Sequence, residues 1–110
     1  MTKRPGQPVR GSTTGRPVMV LLDALGKRWA LRVIWELNRN GPGTFRDLRA
    51  RCENVSPTSL NNRLKDLREL QLIQLGENGF SLTEHGESLS RVLAPLDKWA
   101  NQWAKSIDGN

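Results

Sequence analysis

Apolar side chains recur at three- and four-residue steps along most of the chain, which predicts a mainly helical protein. Residues 18–25 are apolar except for one aspartate, and Pro17 suits the first position of this predicted helix. Residues 27–39 form a second predicted helix with an apolar row on one face. Trp35 lies on its other side, and a helix that is apolar on two sides either lies centrally in the fold or faces a second subunit.

Two shorter helices are predicted next, over residues 44–52 and 56–70. Thr44 is a capping residue for the first, because an acidic side chain follows three residues later. Ser56 and Pro57 open the second, with a capping hydroxyl followed by proline at the first helical position. Its predicted buried row is Leu60, Leu64 and Leu67.

A hairpin and a long helix complete the pattern. Residues 72–75 and 79–82 are predicted strands, joined by an Asn-Gly turn that tolerates positive φ. A last helix is predicted from Thr83 to about Ser106, with a kink at Pro95. The predicted fold class is mainly α with a small two-stranded antiparallel hairpin, in the order of a winged helix-turn-helix.

Length and composition indicate one domain without disulfides. The chain has 110 residues, of which 36% are hydrophobic and 25% charged, and this length suits a single core. No stretch has the ~18 consecutive apolar residues that a spanning helix needs, and no secretory signal is recognisable. Cys52 is the only cysteine, so no disulfide within the chain and no cysteine zinc site is expected. These features predict a cytoplasmic protein without membrane contact.

The net charge of +6 predicts a polyanionic partner. Composition alone does not choose among nucleic acid, membrane surface and acidic protein. Residues 1–17 contain four basic and no acidic side chains, whereas residues 71–110 contain more acidic than basic ones. Residues 1–16 are rich in Gly, Pro, Ser and Thr and are predicted to be a disordered basic arm. The winged-helix domain, including its dimerisation helices, is predicted over residues 17–107.

The predicted helix 56–70 has the pattern of a recognition helix. If its leucines face the core, Thr58, Asn61 and Asn62 lie outward in its first turns, where such helices meet base edges. Ser59 and Arg63 lie to the side and suit phosphate contacts. An ordinary solvated helix face is the alternative. The predicted DNA-binding residues are Thr44, Arg46, Ser56, Thr58, Ser59, Asn61, Asn62, Arg63 and Lys65.

Four segments together resemble the HxlR-type winged-helix transcriptional regulators of bacteria, a branch close to the MarR regulators. The segments are residues 25–31 (LGKRWAL), 45–48 (FRDL), 55–67 (VSPTSLNNRLKDL) and 81–86 (SLTEHG). The resemblance implies a homodimer that binds double-stranded DNA at a palindromic operator, with one recognition helix in each half-site. It carries DNA contacts over to Ser56, Thr58, Ser59, Asn62 and Arg63.

The resemblance also implies that the subunits associate through the first and last helices. The predicted interface residues are Val18, Leu22, Trp35, Leu89, Leu93, Leu96, Trp99 and Trp103. We predict that a bound dimer represses transcription by occluding the promoter, although activation depends on operator position, which the protein does not encode.

Two positions depart from the family pattern. Many relatives have Cys-Pro just before the first helix, whereas Arg16 precedes Pro17 here, so redox sensing through that thiol is not expected. Cys52 is predicted to be a small buried residue instead. The short hairpin has Glu77 at its tip, which phosphate would repel. We therefore predict that the wing contributes little binding energy, and we hypothesise that the basic arm compensates.

Other functions have weaker support. An enzyme is not predicted, because His85 is the only histidine and lies in no catalytic, metal-ligating or cofactor-binding motif. A winged-helix module for protein contacts, with little specific DNA binding, is an alternative. A small-molecule sensor is compatible with DNA binding, with a pocket between the first and last helices of two subunits. The tryptophans available to line it are Trp29, Trp35, Trp99 and Trp103.

Overall fold

The computed structural model describes residues 2–109 and shows helices with one antiparallel hairpin. The helices are α1 (Pro17–Leu25), α2 (Ala30–Asn40), α3 (Phe45–Arg51), α4 (Pro57–Glu69) and α5 (Glu84–Ile107), and the strands are β1 (Ile73–Gly76) and β2 (Gly79–Leu82). Ile73 pairs with Leu82, and Gly76 pairs with Gly79. The predicted fold class is confirmed.

The predicted start of the second helix at residue 27 was wrong, since α2 begins at Ala30. The reason is Trp29, whose φ of 74° is left-handed and cannot continue a right-handed helix. The N–H of Gly26 bonds to the Leu22 carbonyl at 2.9 Å and ends α1, and the N–H of Ala30 bonds to the Lys27 carbonyl. Residues 26–29 are therefore a turn between two helices.

The first strand begins one residue later than predicted. Leu72 donates its N–H to the carbonyl of Leu67 at 3.0 Å, which ties it to the end of α4. The hairpin ladder begins with Ile73 for that reason.

The core lies around α2, which contacts all four of the other helices and also packs against β2. Val33, Ile34 and Leu37 of α2 are buried against leucines of α3 and α4. The predicted row on α4 is buried, with Leu60, Leu64 and Leu67 each at most 2% exposed. Burial of each such side chain stabilises the fold by about 1.5–3 kcal/mol.

The two ends of α5 have different surroundings. Gly86 and Ser90 near its start are buried, whereas none of residues 91–107, all of which the structure describes, is buried. Gly86 is required by close packing, because a Cβ there would lie 2.1 Å from the Leu72 carbonyl oxygen. The helix has 24 residues and continues through Pro95, so it is about 36 Å long. Its second half extends away from the core.

Residues 2–16 form turns, and the first of them bond to the C-terminal half of α4. The Thr2 N–H donates to the Glu69 carboxylate at 3.2 Å, and its hydroxyl donates to Asp66. The Arg4 guanidinium donates to the Glu69 carbonyl at 3.0 Å. Disorder of residues 1–16 in solution stays a prediction, which amide exchange would test, and Met1 lies outside the described residues.

Candidate nucleic-acid interface

The start of α3 is fixed by a reciprocal cap. The Thr44 hydroxyl accepts from the Asp47 N–H at 3.1 Å, and the Asp47 carboxylate accepts from the Thr44 N–H at 2.9 Å. These hydrogen bonds stabilise the charged carboxylate and lower the pKa of Asp47. Arg46 follows in the first turn and is exposed. The two predicted contact residues on α3 therefore lie at an ordered helix end.

The turn between α3 and α4 is held by backbone and side-chain bonds. Glu53 and Asn54 have φ values of 56° and 57°, which reverse the chain within two residues. The Asn54 N–H donates to the Arg49 carbonyl at 2.7 Å, and the Arg49 guanidinium donates to the Val55 carbonyl at 2.9 Å. These bonds fix how α4 is placed relative to α3.

The outer face of α4 is polar and exposed. Ser56 caps the helix by accepting from the Ser59 N–H at 3.2 Å. Thr58 and Asn62 point to solvent on the side opposite the buried leucines. The predicted residues on or beside α4 that are exposed are Ser56, Thr58, Ser59, Asn61, Asn62 and Lys65. These side chains are open to solvent in the described part of the chain.

Arg63 is placed differently from the other predicted contact residues. It is half-buried, and its Nη2 lies 3.3 Å from the Asp66 Oδ2, three residues later on the helix. Lys27 reaches the same carboxylate at 3.6 Å. The Arg63 Nε is buried and has no hydrogen-bond partner among residues 2–109. The i, i+3 spacing of Arg63 and Asp66 permits this pair, but the prediction that Arg63 lies to the side and contacts phosphate did not take it into account.

Positive charge lies on the helices rather than on the wing. Arg46, Lys65 and Arg68 are exposed on α3 and α4. The hairpin over residues 73–82 contains one charged side chain, Glu77, and it is exposed at the tip. The surface available for phosphate contacts is therefore α3 and α4, and the small contribution of the wing stays a prediction.

Exposed apolar side chains also lie on α5 and on α1. We call this set the apolar stripe, and it consists of Val18, Leu22, Val92, Leu96, Trp99, Trp103 and Ile107. The rings of Trp99 and Trp103 stack with centroids 5.9 Å apart and planes 11° apart. Exposed apolar surface of this extent is typical of protein interaction sites.

The predicted interface residues divide between this stripe and the interior. Val18, Leu22, Leu96, Trp99 and Trp103 are exposed on the stripe, and Trp35 is exposed on α2. Two others are half-buried: Leu89 packs against the core, and Leu93 faces α2. The sequence assignment missed Val92 and Ile107, although both continue the same three- and four-residue spacing.

The remaining chemical groups are placed as follows. Cys52 is fully buried at the end of α3, and desolvation raises the pKa of its thiol. His85 is exposed near the start of α5. Within residues 2–109 no three His, Cys, Asp or Glu side chains come together in a way that would hold a metal. None of the helices in this part of the chain has the length and hydrophobicity to cross a bilayer.

Comparison with known proteins identifies similar chains. A family model described as HxlR-like helix-turn-helix matches residues 24–108. The chain is 32% identical over 89 residues to the HTH-type transcriptional regulator YvaP of Bacillus subtilis strain 168, covering 74% of this chain and 82% of that protein. It is 31% identical over 105 residues to the HTH-type transcriptional regulator YodB of the same organism, covering 89% and 93%.

A solved structure has a similar fold. The crystal structure of quinone-bound YodB from B. subtilis matches with a TM-score of 0.69 and 29% identity, over 77% of this chain and 94% of that one. Both named relatives are transcriptional regulators rather than enzymes.

Proposed function

Since this chain belongs to the HxlR-like helix-turn-helix family of transcriptional regulators, we propose that it is a sequence-specific repressor that binds a palindromic operator as a homodimer. Family membership supports regulation of transcription through DNA binding rather than catalysis. Repression, the second subunit, the palindrome and a cytoplasmic location are parts of the proposal.

The exposed polar face of α4 is the observation that carries the proposal. Asn61 and Asn62 are exposed in its first turns, and an asparagine amide pairs with adenine through two hydrogen bonds. The Thr58 hydroxyl can donate to or accept from the edge of a base. Ser59 and Lys65, beside them, are proposed to contact phosphate. Thr44, Arg46 and Ser56 extend these phosphate contacts to the start of α3 and the turn.

Arg63 is proposed to contact phosphate after it leaves Asp66. Its half-buried guanidinium is paired with Asp66 at 3.3 Å, and the same carboxylate has Lys27 as a second cationic partner at 3.6 Å. A phosphate offers the same charge-assisted hydrogen bonds in bidentate form. Asp66 therefore still has a cationic partner after the exchange.

The apolar stripe supports the homodimer. An isologous two-fold contact places the same surface of both subunits together, so each exposed tryptophan covers apolar surface of its partner. A two-fold protein presents two recognition helices, and the matching operator is palindromic with half-sites roughly one helical turn apart. The proposed contacts are Val18, Leu22, Trp35, Leu89, Leu93, Leu96, Trp99 and Trp103.

Selection of bound fragments from a random duplex library tests the proposal. We expect the full chain to enrich one palindromic sequence, with half-sites about 34 Å apart centre to centre. Affinity for that duplex should fall steeply as the salt concentration rises. Affinity for a scrambled duplex should be weaker by a factor of about 10³ or more. Equal binding to every duplex would contradict a specific regulator. It would instead support the alternative, a winged-helix module that serves protein contacts.

A small-molecule effector is a second part of the proposal. The similar regulator YodB is known in a quinone-bound form, which supports a small-molecule effector for this chain. The predicted pocket lined by four tryptophans lies between two subunits, so the structure of one subunit does not test it. In the structure Trp35 lines a cavity, whereas Trp29 packs against the core and Trp99 and Trp103 are exposed.

A further inference from the structure

A cavity of about 750 Å³ lies between α2 and the middle of α5. Its walls are mostly apolar and include Leu31, Ile34, Trp35, Leu93 and Leu96. Cavities that hold small organic ligands typically have about 300–1,000 Å³ and a few polar groups in an apolar lining. The volume and the lining are therefore suited to a small organic molecule.

Two buried polar residues lie in the lining. Ser90 is 7% exposed, and its Oγ has no hydrogen-bond partner among the described residues 2–109. Glu36 is 9% exposed, and its carboxylate accepts from the Arg32 Nε at 2.8 Å and from the Asn40 Nδ2 at 2.8 Å. Buried hydroxyls are normally paired in folded proteins, because an unpaired one is destabilising. A molecule in the cavity would supply the partner that Ser90 lacks.

The charges in the lining restrict the chemistry of that molecule. The cavity is lined by Glu36 and Asp97 but by one cation, Arg32, whose side chain is already paired. An anion would be repelled by the two carboxylates. A neutral ligand with a hydrogen-bond donor would be accepted by the Glu36 carboxylate or the Ser90 hydroxyl.

We propose that this cavity binds a neutral aromatic compound with a hydroxyl donor, of the phenol class, as the effector of the regulator. The proposal deepens the function proposed above and rests on it for its regulatory meaning. Trp35 and Leu96 at the cavity are exposed and belong to the proposed dimer interface. A second subunit across this surface would therefore enclose the ligand.

Arg32 connects the cavity to the DNA-binding helices. Beside its bond to Glu36, its Nη2 donates to the Arg51 carbonyl at 2.9 Å and its Nη1 donates to the Glu53 carboxylate at 3.1 Å. Arg51 and Glu53 are at the end of α3 and in the turn before α4. A ligand hydroxyl on Glu36 competes with Arg32 for the carboxylate and so loosens the bonds that hold this turn. Ligand binding should then weaken DNA binding, and DNA should weaken ligand binding by the same factor.

Calorimetry with 1-naphthol and 1-naphthoate tests the site directly. The two probes share a ring system and differ in charge. We expect 1-naphthol to bind the full chain. The Kd of 1-naphthoate should be higher by a factor of about ten or more, because burying its carboxylate charge is costly. Absence of 1-naphthol binding, or equal binding of both probes, would overturn the proposal.

Ser90→Ala tests the unpartnered hydroxyl, with Ser88→Ala as the matched control because Ser88 is exposed on the same helix. Ser90→Ala should weaken 1-naphthol binding by about three- to tenfold, the effect of one hydrogen bond. Its thermal stability should be equal to or higher than that of the wild type, since no protein bond is lost. Ser88→Ala should change neither quantity. Equal 1-naphthol affinity in Ser90→Ala would show that the hydroxyl is not part of a binding site.

The connection to DNA is tested with the duplex selected above. We expect the duplex Kd of the wild type to rise when 1-naphthol is saturating, and an unchanged Kd would overturn the effector role. Failure of the proposed function would give a different result, because the protein would then bind all duplexes equally. Calorimetry would still measure whether 1-naphthol binds the cavity.

Discussion

Helices α4 and α5 both present one face to the core, but their outer faces are opposite in character. The outer face of α4 has hydroxyls, amides and a lysine, whereas that of α5 beyond Ser90 has valine, leucine, isoleucine and two stacked tryptophans. Both faces are exposed in the isolated chain. A polar face suits a hydrated, charged partner such as DNA, and an apolar face suits a second apolar surface. The difference assigns one partner to each helix.

The largest expected effect concerns the buried side of α4. Leu64→Ala should lower the free energy of unfolding by about 2–5 kcal/mol, because it leaves a cavity at a side chain that is 2% exposed. Urea denaturation measures the change. Lys65→Ala, at the exposed neighbouring position, is the control and should change stability by about 0.5 kcal/mol or less. Similar losses in both variants would show that α4 does not have one buried and one free face.

Charge in the apolar stripe should have the next largest effect. Trp99→Glu should raise the dissociation constant of the dimer by about thirtyfold or more, as expected for loss of a central aromatic contact. Sedimentation equilibrium would report monomers, and operator binding would weaken. Asn101→Glu is the control, since it puts the same charge at an exposed polar position on another side of α5. A Trp99→Glu protein that stays dimeric would place the interface elsewhere.

The Asn62 amide and the Arg63 guanidinium of α4 should contribute differently to DNA binding. Asn62→Ala should remove about 1–3 kcal/mol of discrimination between the selected duplex and one with its adenine replaced. Arg63→Ala should weaken binding to all duplexes. It should also reduce the slope of log binding constant against log salt concentration by about one. Anisotropy titrations at several salt concentrations measure both. The opposite pattern would mean that α4 is rotated in the groove relative to our assignment.

The smallest expected effect is the pH dependence of the α3 cap. The pKa of Asp47 is lowered in the folded state, so its stabilisation is present above the unfolded pKa and is lost as pH falls through the folded pKa. Asp47→Asn should therefore be slightly less stable than the wild type at pH 7. The difference should shrink as pH falls below the unperturbed aspartate pKa of about 3.9 and disappear at low pH, below the lowered pKa of the folded state. An equal difference at both pH values would exclude the carboxylate charge as its cause.

Periodicity and capping signals predicted the fold class and the leucine row of α4 correctly, and the resemblance of four sequence segments identified the family. The hydrophobic pattern was sufficient there because helix period and burial agree at Leu60, Leu64 and Leu67. The same pattern gave a wrong start for α2, because the left-handed backbone at Trp29 leaves no mark in the spacing of apolar residues.

Contacts between distant residues were beyond the reach of sequence patterns. The bonds of Thr2 to α4 and of Arg32 to the α3–α4 turn join residues far apart in the chain. The burial of Glu36 depends on Arg32 and Asn40, each four residues away on one helix. The spacing permits these pairs, but only the packing of α5 shows that Arg32 and Glu36 line a cavity.

The buried position of Cys52 has a practical consequence. Its sulfur is the sole one of its kind in the chain, lies out of reach of water, and has a raised pKa, so alkylating reagents should leave the native protein unmarked. A cysteine introduced at the hairpin tip, for example by Asn78→Cys, would then be the one reactive thiol. A dye or a cross-linker attached there would report the distance from the wing to bound DNA without any need to remove a native residue first.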